Sequence, residues 1–193
     1  MRVITGTAKG HRLKAPRGLS TRPMLDRVKE SLFAVLAGYG PLRGHVLDLY
    51  AGTGSRGIEC LSRGAAWADF VEQSAHVCRI IRDNLQHTRL DTRSRVHCMP
   101  VARYLRTAHP PATYQIILMD PPYADPAIVQ TIQAVGESGL SAPQGLLVVG
   151  HSPRVTLDDS YSIWQRLKFR RLGDSCFSIY QSSMSDGTSG SMA

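Results

Sequence analysis

The sequence lacks the features that mark exported, membrane-spanning or zinc-stabilised chains. No apolar run approaches the roughly 20 residues that a transmembrane helix needs. The chain begins Met-Arg-Val-Ile-Thr-Gly, without the apolar core of a secretory signal. Its four cysteines, Cys60, Cys78, Cys98 and Cys176, form no Cys-x-x-Cys pair and have no histidine at metal-ligand spacing. We therefore expect buried, reduced thiols in a cytoplasmic protein that has no structural metal site and no membrane partner.

Acidic residues are scarce in the first quarter of the chain. The net charge of the 193 residues is +8, and residues 1–44 alone contain nine lysines and arginines against two acids. A basic segment on a nearly neutral body favours a polyanionic partner, nucleic acid above all, although a solvated basic face would have the same composition. Within this segment, Lys29 and Glu30 are expected on the solvated face of a helix, with local ion pairs.

Strand and helix patterns alternate from residue 45 onward. Short apolar strands are expected near 46–50, 67–72, 96–99, 115–119 and 146–149, with helices near 55–63, 76–87 and 127–135 and a hairpin at 163–181. This order predicts a Rossmann-like α/β domain, a mostly parallel sheet closed by an antiparallel hairpin. The predicted division is a basic β-hairpin and helix (residues 1–44), the α/β domain (45–181) and a disordered Ser/Gly-rich tail (182–193).

A glycine-rich turn follows the first predicted strand of the domain. Gly52, Gly54 and Gly57 satisfy G-x-G-x-x-G, and Glu72 ends the next strand. Such glycines let the backbone approach a ligand, and the carboxylate can accept hydrogen bonds from ribose hydroxyls. The loop alone fits a dinucleotide, S-adenosylmethionine or a tight turn. Asp48 would repel a pyrophosphate and suits the ammonium and sulfonium groups of S-adenosylmethionine, while a role in holding the loop stays open.

The second motif, Asp120-Pro121-Pro122-Tyr123, directly follows a predicted buried strand. Its prolines stiffen the backbone and remove two N–H donors, which leaves the carbonyl oxygens of Asp120 and Pro121 free to face a ligand. With the Asp120 carboxylate they can hold an exocyclic amino group and stabilise the positive charge that grows as a methyl group arrives. Tyr123 offers a ring for stacking on a base. A rigid turn after a strand is the alternative interpretation.

Three stretches of the sequence resemble the RsmD-type methyltransferases of 16S ribosomal RNA, a likeness that covers roughly residues 1–181. These stretches are residues 2–10 with 21–33, residues 48–65, and residues 120–123. The last is shared with other amino methyltransferases, including DNA adenine enzymes, whereas the first and the run 61–65 are more particular to this family. The resemblance implies a seven-stranded methyltransferase sheet, S-adenosylmethionine as cofactor, and methyl transfer to N2 of one guanine.

The motifs and the resemblance together assign residues to three roles. Catalytic contacts are expected from Asp120, Pro121, Pro122 and Tyr123. Cofactor contacts are expected from Asp48, Ala51, Gly52, Thr53, Gly54, Glu72, Gln73, Pro100, Val101, Arg22 and Pro23. RNA contacts are expected from Lys9, Arg12, Lys14, Arg17 and Arg27. The implied partner is 16S rRNA or the small ribosomal subunit, and the chain is expected to act as a monomer.

The sequence departs from the family pattern at three positions. Pro100 stands where an acid usually lies near the adenine of the cofactor, so adenine recognition is expected from backbone groups around it. Gly150 stands where the fifth strand often ends in glutamate, and Arg56 where a small or apolar residue is common. The acids of both motifs are kept, and an active enzyme is therefore expected.

Three other functions remain open at this point. A DNA adenine-N6 methyltransferase would use the same two motifs, but such enzymes usually carry a further target-recognition domain. An NAD-binding oxidoreductase would explain the glycine loop but not Asp48 together with Asp-Pro-Pro-Tyr. A module that binds S-adenosylmethionine and RNA without turnover would keep both motifs and tolerate the departures from the family pattern.

Overall fold

The computed structural model describes residues 1–16, 23–122 and 125–183, with residues 23–25 described by their backbone alone. The helices are α1 (Pro23–Leu36), α2 (Ser55–Ser62), α3 (Ala75–His87), α4 (Val101–Thr107) and α5 (Ile128–Glu137), with 3-10 turns at Ala37–Tyr39 and Asp91–Arg93. The strands are β1 (His45–Leu49), β2 (Trp67–Glu72), β3 (Ser94–Cys98), β4 (Tyr114–Met119), β5 (Ser141–His151), β6 (Ser160–Tyr161), β7 (Trp164–Leu172) and β8 (Ser175–Ser182). Among these helices, none combines the length and the apolar character that crossing a bilayer requires.

All eight described strands form one sheet, in the order β3-β2-β1-β4-β5-β8-β7-β6. The first five positions are parallel, and β8, β7 and β6 are antiparallel, which confirms the predicted parallel sheet closed by a hairpin. Seven of the strands match the implied sheet, and the two-residue β6 adds an eighth at the edge. The chain order reverses between β1 and β4, so the ligand crevice of such a sheet is expected at the carboxyl ends of these two strands.

The central strands are apolar on both faces because helices cover both. One cluster contains Val46, Ile116 and Val148 and packs under α1, α2 and the N-terminal segment. The other contains Leu47 and Ile117 and packs under α4 and α5. A sheet buried on both faces reads as short, continuous apolar runs, and this explains why its strands could be predicted from the sequence.

Residues 1–16, here called the arm, form less of a hairpin than predicted. A single antiparallel bridge joins Arg2 to Arg12, and no regular strand forms on either side. The arm's backbone bonds to helix α2 instead, since the Thr7 N–H donates to the Ser62 carbonyl at 2.8 Å. Val3 and Leu13 are buried in the same cluster as the central strands. The arm is therefore packed onto the sheet domain along its length.

Several boundaries differ from the prediction. Helix α4 and strand β6 were not predicted, because each is short and has no clear apolar period. Strand β8 includes Ser182, which is buried, so the ordered chain passes the predicted start of the tail by at least one residue. Of the cysteines, Cys98 is exposed, contrary to expectation, and all four are free thiols. Residues 184–193, predicted as a disordered tail, lie outside the described residues.

Candidate active site

The two sequence motifs meet at the reversal point of the sheet. Asp48 lies near the carboxyl end of β1 and pairs in register with Leu118 of the neighbouring strand β4. Asp120 directly follows β4. The loop from Tyr50 to Gly54 connects β1 to α2 at the same edge. This edge is where open α/β sheets bind their ligands, so the topology brings both motifs to one crevice.

Asp48 is buried and fixes the start of α2. Its side chain is 2% exposed, and its Oδ2 accepts a hydrogen bond of 2.9 Å from the Gly57 backbone N–H. A Cβ on Gly57 would overlap the Phe70 ring, so only glycine lets α2 approach the sheet closely enough for this bond. Burial raises the pKa of Asp48 to about 7, although the positive charge of Arg56 opposes the shift. Without a further cation beside it, this carboxyl gives up its proton reluctantly.

Glu72 holds the glycine loop from the next strand. Its Oε2 accepts from the Gly52 N–H at 3.2 Å and its Oε1 from the Ser74 N–H at 2.8 Å. Gly52 has a φ of 54°. A Cβ there would meet no heavy atom nearer than the Tyr50 carbonyl oxygen at 3.9 Å, so the loop faces open space. The carboxylate and the open backbone together form a cradle for a ligand that carries hydroxyl groups.

Asp120 forms an ion pair with Arg56. Two of the three departures from the family pattern, at positions 56 and 150, make this pair possible. The Arg56 Nη2 lies 2.5 Å from the Asp120 Oδ2, with the two side chains 22% and 45% exposed. A Cβ built on Gly150 would overlap the Asp120 Oδ1 and lie 3.7 Å from the Arg56 Nη1. Glycine at position 150 therefore makes room for the Asp120 carboxylate in this orientation, and Arg56 supplies its counter-charge.

A small cavity opens beside this ion pair. It has a volume of about 120 Å³, and its walls come from α1, α2, the chain after β4, and the ends of β5 and β8. The lining residues include Val28, Leu32, Asp120, His151 and Phe177. The cavity is smaller than the roughly 300–1,000 Å³ of pockets that hold whole ligands, so it suits one planar group rather than a complete cofactor. Mostly apolar walls that also include the Asp120 carboxylate, Arg56 and His151 favour a planar group that carries a hydrogen-bond donor.

A larger groove of about 800 Å³ lies elsewhere, between the arm and the residues around the start of β1. Thr5, Phe33, Leu42 and Gly64 are among its lining residues. Leu42 precedes β1, and Gly64 follows α2. The groove is thus at the amino ends of the strands, away from both motifs, and the smaller cavity is the better candidate for chemistry.

A buried charge network joins the arm and α1 to α2. Lys29 is 3% exposed, and its Nζ donates to the Arg2 carbonyl oxygen at 2.6 Å and the Ser55 hydroxyl at 3.0 Å, with a Glu59 carboxylate oxygen at 3.7 Å. The expectation of a solvated Lys29 is therefore wrong. Glu59, which is 0% exposed, also accepts from the Ile4 N–H at 2.7 Å. The burial that makes the network rigid also lowers the pKa of Lys29.

Asn84 of α3 ties the arm to the glycine loop. Its Oδ1 accepts from the Lys14 N–H at 2.8 Å, and its Nδ2 donates to the carbonyl oxygens of Lys14 and Thr53, each at 3.0 Å. Asn84 is 1% exposed, so these bonds are shielded from water. Sequence analysis missed Asn84, Glu59 and Arg56 as site-building residues. Their partners are distant in sequence, and only the place of Arg56 in the family pattern gave a signal.

The remaining predicted cofactor residues lie around the same edge. Gln73 and Pro100 are exposed, at the ends of β2 and β3. Val101 is 5% exposed and packs in the core, so its side chain does not face a ligand and its backbone is the part that remains available. The structure describes only the backbone of Pro23, as the first residue of α1. Arg22 lies outside the described residues.

All four predicted RNA contacts that the structure describes are exposed. Lys9, Arg12 and Arg27 are all on the surface. Lys14 is also exposed, but its Nζ pairs with the Asp83 Oδ2 at 3.0 Å, which partly neutralises it. Arg17 of the RNA set and Tyr123 of the catalytic set lie outside the described residues.

Comparisons with known proteins agree on one family. The model of the family described as conserved hypothetical protein 95 matches residues 1–181. YlbH of Bacillus subtilis (strain 168), named as a proposed rRNA methyltransferase, is 35% identical over 161 residues, which cover 83% of this chain and 87% of YlbH. Ribosomal RNA small subunit methyltransferase D of Escherichia coli (strain K12) is 28% identical over 181 residues, covering 94% and 89%. The solved structure of the Escherichia coli protein yhhF, described as a proposed methyltransferase, matches with a TM-score of 0.81 and 29% identity, covering 96% and 99%.

Proposed function

The chain belongs to the conserved hypothetical protein 95 family of RsmD-type rRNA methyltransferases, and from that premise we propose that it transfers a methyl group from S-adenosylmethionine to the exocyclic N2 of a guanine in 16S ribosomal RNA. One observation carries the guanine-N2 proposal: the acceptor-rich corner at Asp120 and Pro121 borders a cavity of about 120 Å³, a size that suits one planar base. The proposed partner is 16S rRNA or the small subunit, and the proposed enzyme is a cytoplasmic monomer whose residues 1–44 face the RNA.

The residues at the glycine loop fit S-adenosylmethionine. Asp48 is a buried carboxyl that accepts a hydrogen bond from the Gly57 N–H, and a ligand cation beside it would favour its charged form. Glu72 keeps lone pairs free for two hydroxyl groups, because each of its oxygens accepts only one backbone N–H. We assign the backbone around Pro100 and Val101 to the adenine, and Gln73 to a further cofactor contact. When bound, the cofactor supplies a methyl group activated by a sulfonium centre.

The chain's own contribution at the target is positioning and electrostatic stabilisation. The lone pair of an exocyclic amino group is delocalised into the base, so the nitrogen is a poor nucleophile. Asp120 and the Pro121 carbonyl oxygen accept its two hydrogens, which favours a tetrahedral nitrogen and stabilises the positive charge that develops there. Tyr123 stacks on the ring, and the guanine enters flipped out of a single-stranded or splayed loop. The amino proton can leave after the transfer, and no strong base is required.

A transfer assay tests this proposal. Methyl-labelled S-adenosylmethionine is offered with unmodified small ribosomal subunits, naked 16S rRNA and duplex DNA, and the labelled nucleoside is then identified. We expect N2-methylguanosine from ribosomal material, and the better acceptor identifies the assembly stage. N6-methyladenine from DNA would replace the proposal with a DNA adenine methyltransferase. Bound cofactor without label in any acceptor would leave a binding module without turnover.

A further inference from the structure

Strand β7 presents charged and aromatic side chains that the proposed mechanism does not use. Residues 167–171, here called the β7 strip, are all exposed, and Leu167 and Phe169 are 39% and 48% exposed. The strip contains no acidic residue. Among the described residues Lys168, Arg170 and Arg171 form no ion pair, and the nearest acid in sequence is Asp174 in the turn to β8. Three cations in four residues without counter-charges make a surface that attracts polyanions.

The strip is an open edge of the sheet. Strand β6 pairs only with Trp164 and Gln165, so within the described chain no strand pairs with the outer edge of β7 from Leu167 onward, and β8 lies on its inner edge. Because successive side chains of a strand point to opposite faces, the strip presents residues on both faces of the sheet. Charged residues on an edge strand oppose pairing with another strand, which makes a second copy of the chain a poor occupant.

The strip adjoins the cavity at Asp120. Arg170 pairs in register with Phe177, which lines the cavity and pairs in turn with Gly150. On the other face, the Phe169 ring lies 6.0 Å from the ring of His151, another cavity residue. Helix α1, with its exposed Arg27, forms the opposite wall. A chain of nucleotides that inserts one base into the cavity would therefore have its flanking nucleotides over α1 on one side and over β7 on the other.

We infer that the β7 strip binds the single-stranded RNA next to the target nucleotide, with phosphates held by Lys168, Arg170 and Arg171 and one base stacked on Phe169. Exposed rings accept bases of any sequence, and cations between them follow the phosphates, which is the usual construction of a single-strand surface. This inference rests on the proposed function for the identity of the polyanion. It extends the RNA surface from the first quarter of the chain to its last.

The test compares two triple variants that remove the same charge. The strip variant is Lys168→Gln/Arg170→Gln/Arg171→Gln, and the control is Arg79→Gln/Arg103→Gln/Arg106→Gln, which removes three exposed cations from α3 and α4. Binding of a 16S rRNA transcript is measured over a range of salt concentrations. Each lost phosphate contact makes the negative slope of log K against log salt less steep by about 0.7 for single strands. We therefore expect the slope of the strip variant to be less steep by about 2 and the slope of the control to be almost unchanged.

Phe169→Ala separates stacking from charge. We expect it to weaken RNA binding at least about fivefold with an unchanged salt slope, since stacking does not release counterions. This single variant also tests the strip if the triple strip variant fails to fold. Equal affinities and slopes for the strip variant, the control and the wild type would overturn the inference. So would a wild-type dimer that the strip variant dissociates without any loss of RNA affinity.

The same proteins, assayed for methyl transfer, separate this inference from the proposed function. A wild type that methylates 16S rRNA beside a strip variant that binds RNA normally would leave the function standing and remove the strip from the interface. A wild type that binds RNA through the strip but methylates only DNA adenine would keep the surface and replace the function.

Discussion

Two of the ion pairs made by helix α2 differ in almost every physical respect. On one side Glu59, 0% exposed, meets Lys29, 3% exposed, in the seam between the arm and the sheet domain. On the other side Arg56 meets Asp120 at the open edge of the sheet, with 22% and 45% exposure. The carboxylate of the buried pair also accepts hydrogen bonds from backbone N–H groups of the arm, whereas the exposed pair borders a cavity.

The difference teaches which contacts hold the molecule together and which are free to change during a reaction. Breaking a buried pair leaves a charge without water, so that pair can only be structural. An exposed pair costs little to open, which fits the proposal that Asp120 exchanges Arg56 for a substrate amino group. One short helix thus joins a fixed seam to an exchangeable contact, and the variants below test that division.

The largest expected effect is at the seam. Glu59→Gln removes the charge that pairs with buried Lys29, and we expect the free energy of unfolding to fall by about 3–5 kcal/mol. Urea unfolding measures it. Glu30→Gln is the matched control, because Glu30 is exposed on α1 and its loss should change stability by less than about 0.5 kcal/mol. Equal small losses for both variants would mean that water reaches the seam.

The next effect is at the open edge, on catalysis rather than on stability. Asp120→Asn should lower the rate of methyl transfer about 10²- to 10³-fold, because it removes the acceptor charge at the reacting nitrogen. Its free energy of unfolding should stay within about 1 kcal/mol of the wild type, as for an exposed pair. Calorimetry should find the affinity for S-adenosylmethionine nearly unchanged. A parallel loss of cofactor affinity would contradict the assignment of Asp120 to the target.

Asp48 provides a smaller effect with a pH signature. Asp48→Asn keeps an acceptor for the Gly57 N–H but removes the charge, and we expect cofactor affinity to fall roughly 10- to 100-fold at pH 8. Burial raises the pKa of Asp48 to about 7, so the carboxyl must lose a proton before it can pair with a cation. Wild-type affinity should therefore rise as the pH increases through about 7.

The Asp48→Asn variant should show no such rise in cofactor affinity. A wild type whose affinity does not depend on pH would remove Asp48 from the cofactor site.

The stability of the protein without ligand changes with pH in the opposite direction. Because the folded state prefers the protonated carboxyl, this group favours folding below its unfolded pKa near 4, and that contribution is lost as the pH rises through about 7. At pH 8 Asp48→Asn should therefore be at least as stable as the wild type in thermal unfolding.

The smallest effect concerns a second exposed pair. Lys14 and Asp83 are 68% and 50% exposed, and Lys14→Gln should change the free energy of unfolding by less than about 1 kcal/mol. The backbone bonds of Lys14 to Asn84 remain in the variant and keep the arm in place. A loss as large as that of Glu59→Gln would show that exposure does not separate the two kinds of pair.

The strands of the sheet and both motifs could be predicted because they depend on neighbours in sequence. The strands are short apolar runs, Gly57 follows Gly54 by three residues, and Asp120 directly follows a strand. The burial of Lys29 could not be predicted, because the sequence of α1 shows Glu30 beside it but does not show Glu59 on the other side of the seam. The arrangement around Asp120 could not be predicted either, because its members come from three separate parts of the chain. The sequence shows Arg56 and Gly150 as two unrelated departures from the family pattern, whereas the structure brings both against Asp120.

The β7 strip had a signal that charge totals concealed. The run Arg-Leu-Lys-Phe-Arg-Arg interleaves cations with apolar residues. Acidic residues elsewhere after residue 44 balance its charge, so the net charge indicates a basic surface only in the first quarter of the chain. Strand β7 also reads as an ordinary member of a hairpin. Its exposure follows from the shortness of β6, and a two-residue strand has too little pattern to be predicted.

The bonds that hold the arm also determine when it can fold during synthesis. The backbone N–H groups of Ile4 and Thr5 pair with a carboxylate that leaves the ribosome 55 and 54 residues after them. Lys14 pairs with Asn84, which is made 70 residues later. The nascent arm therefore has its full set of partners only after α3 has emerged, so it settles later than helices that are made after it.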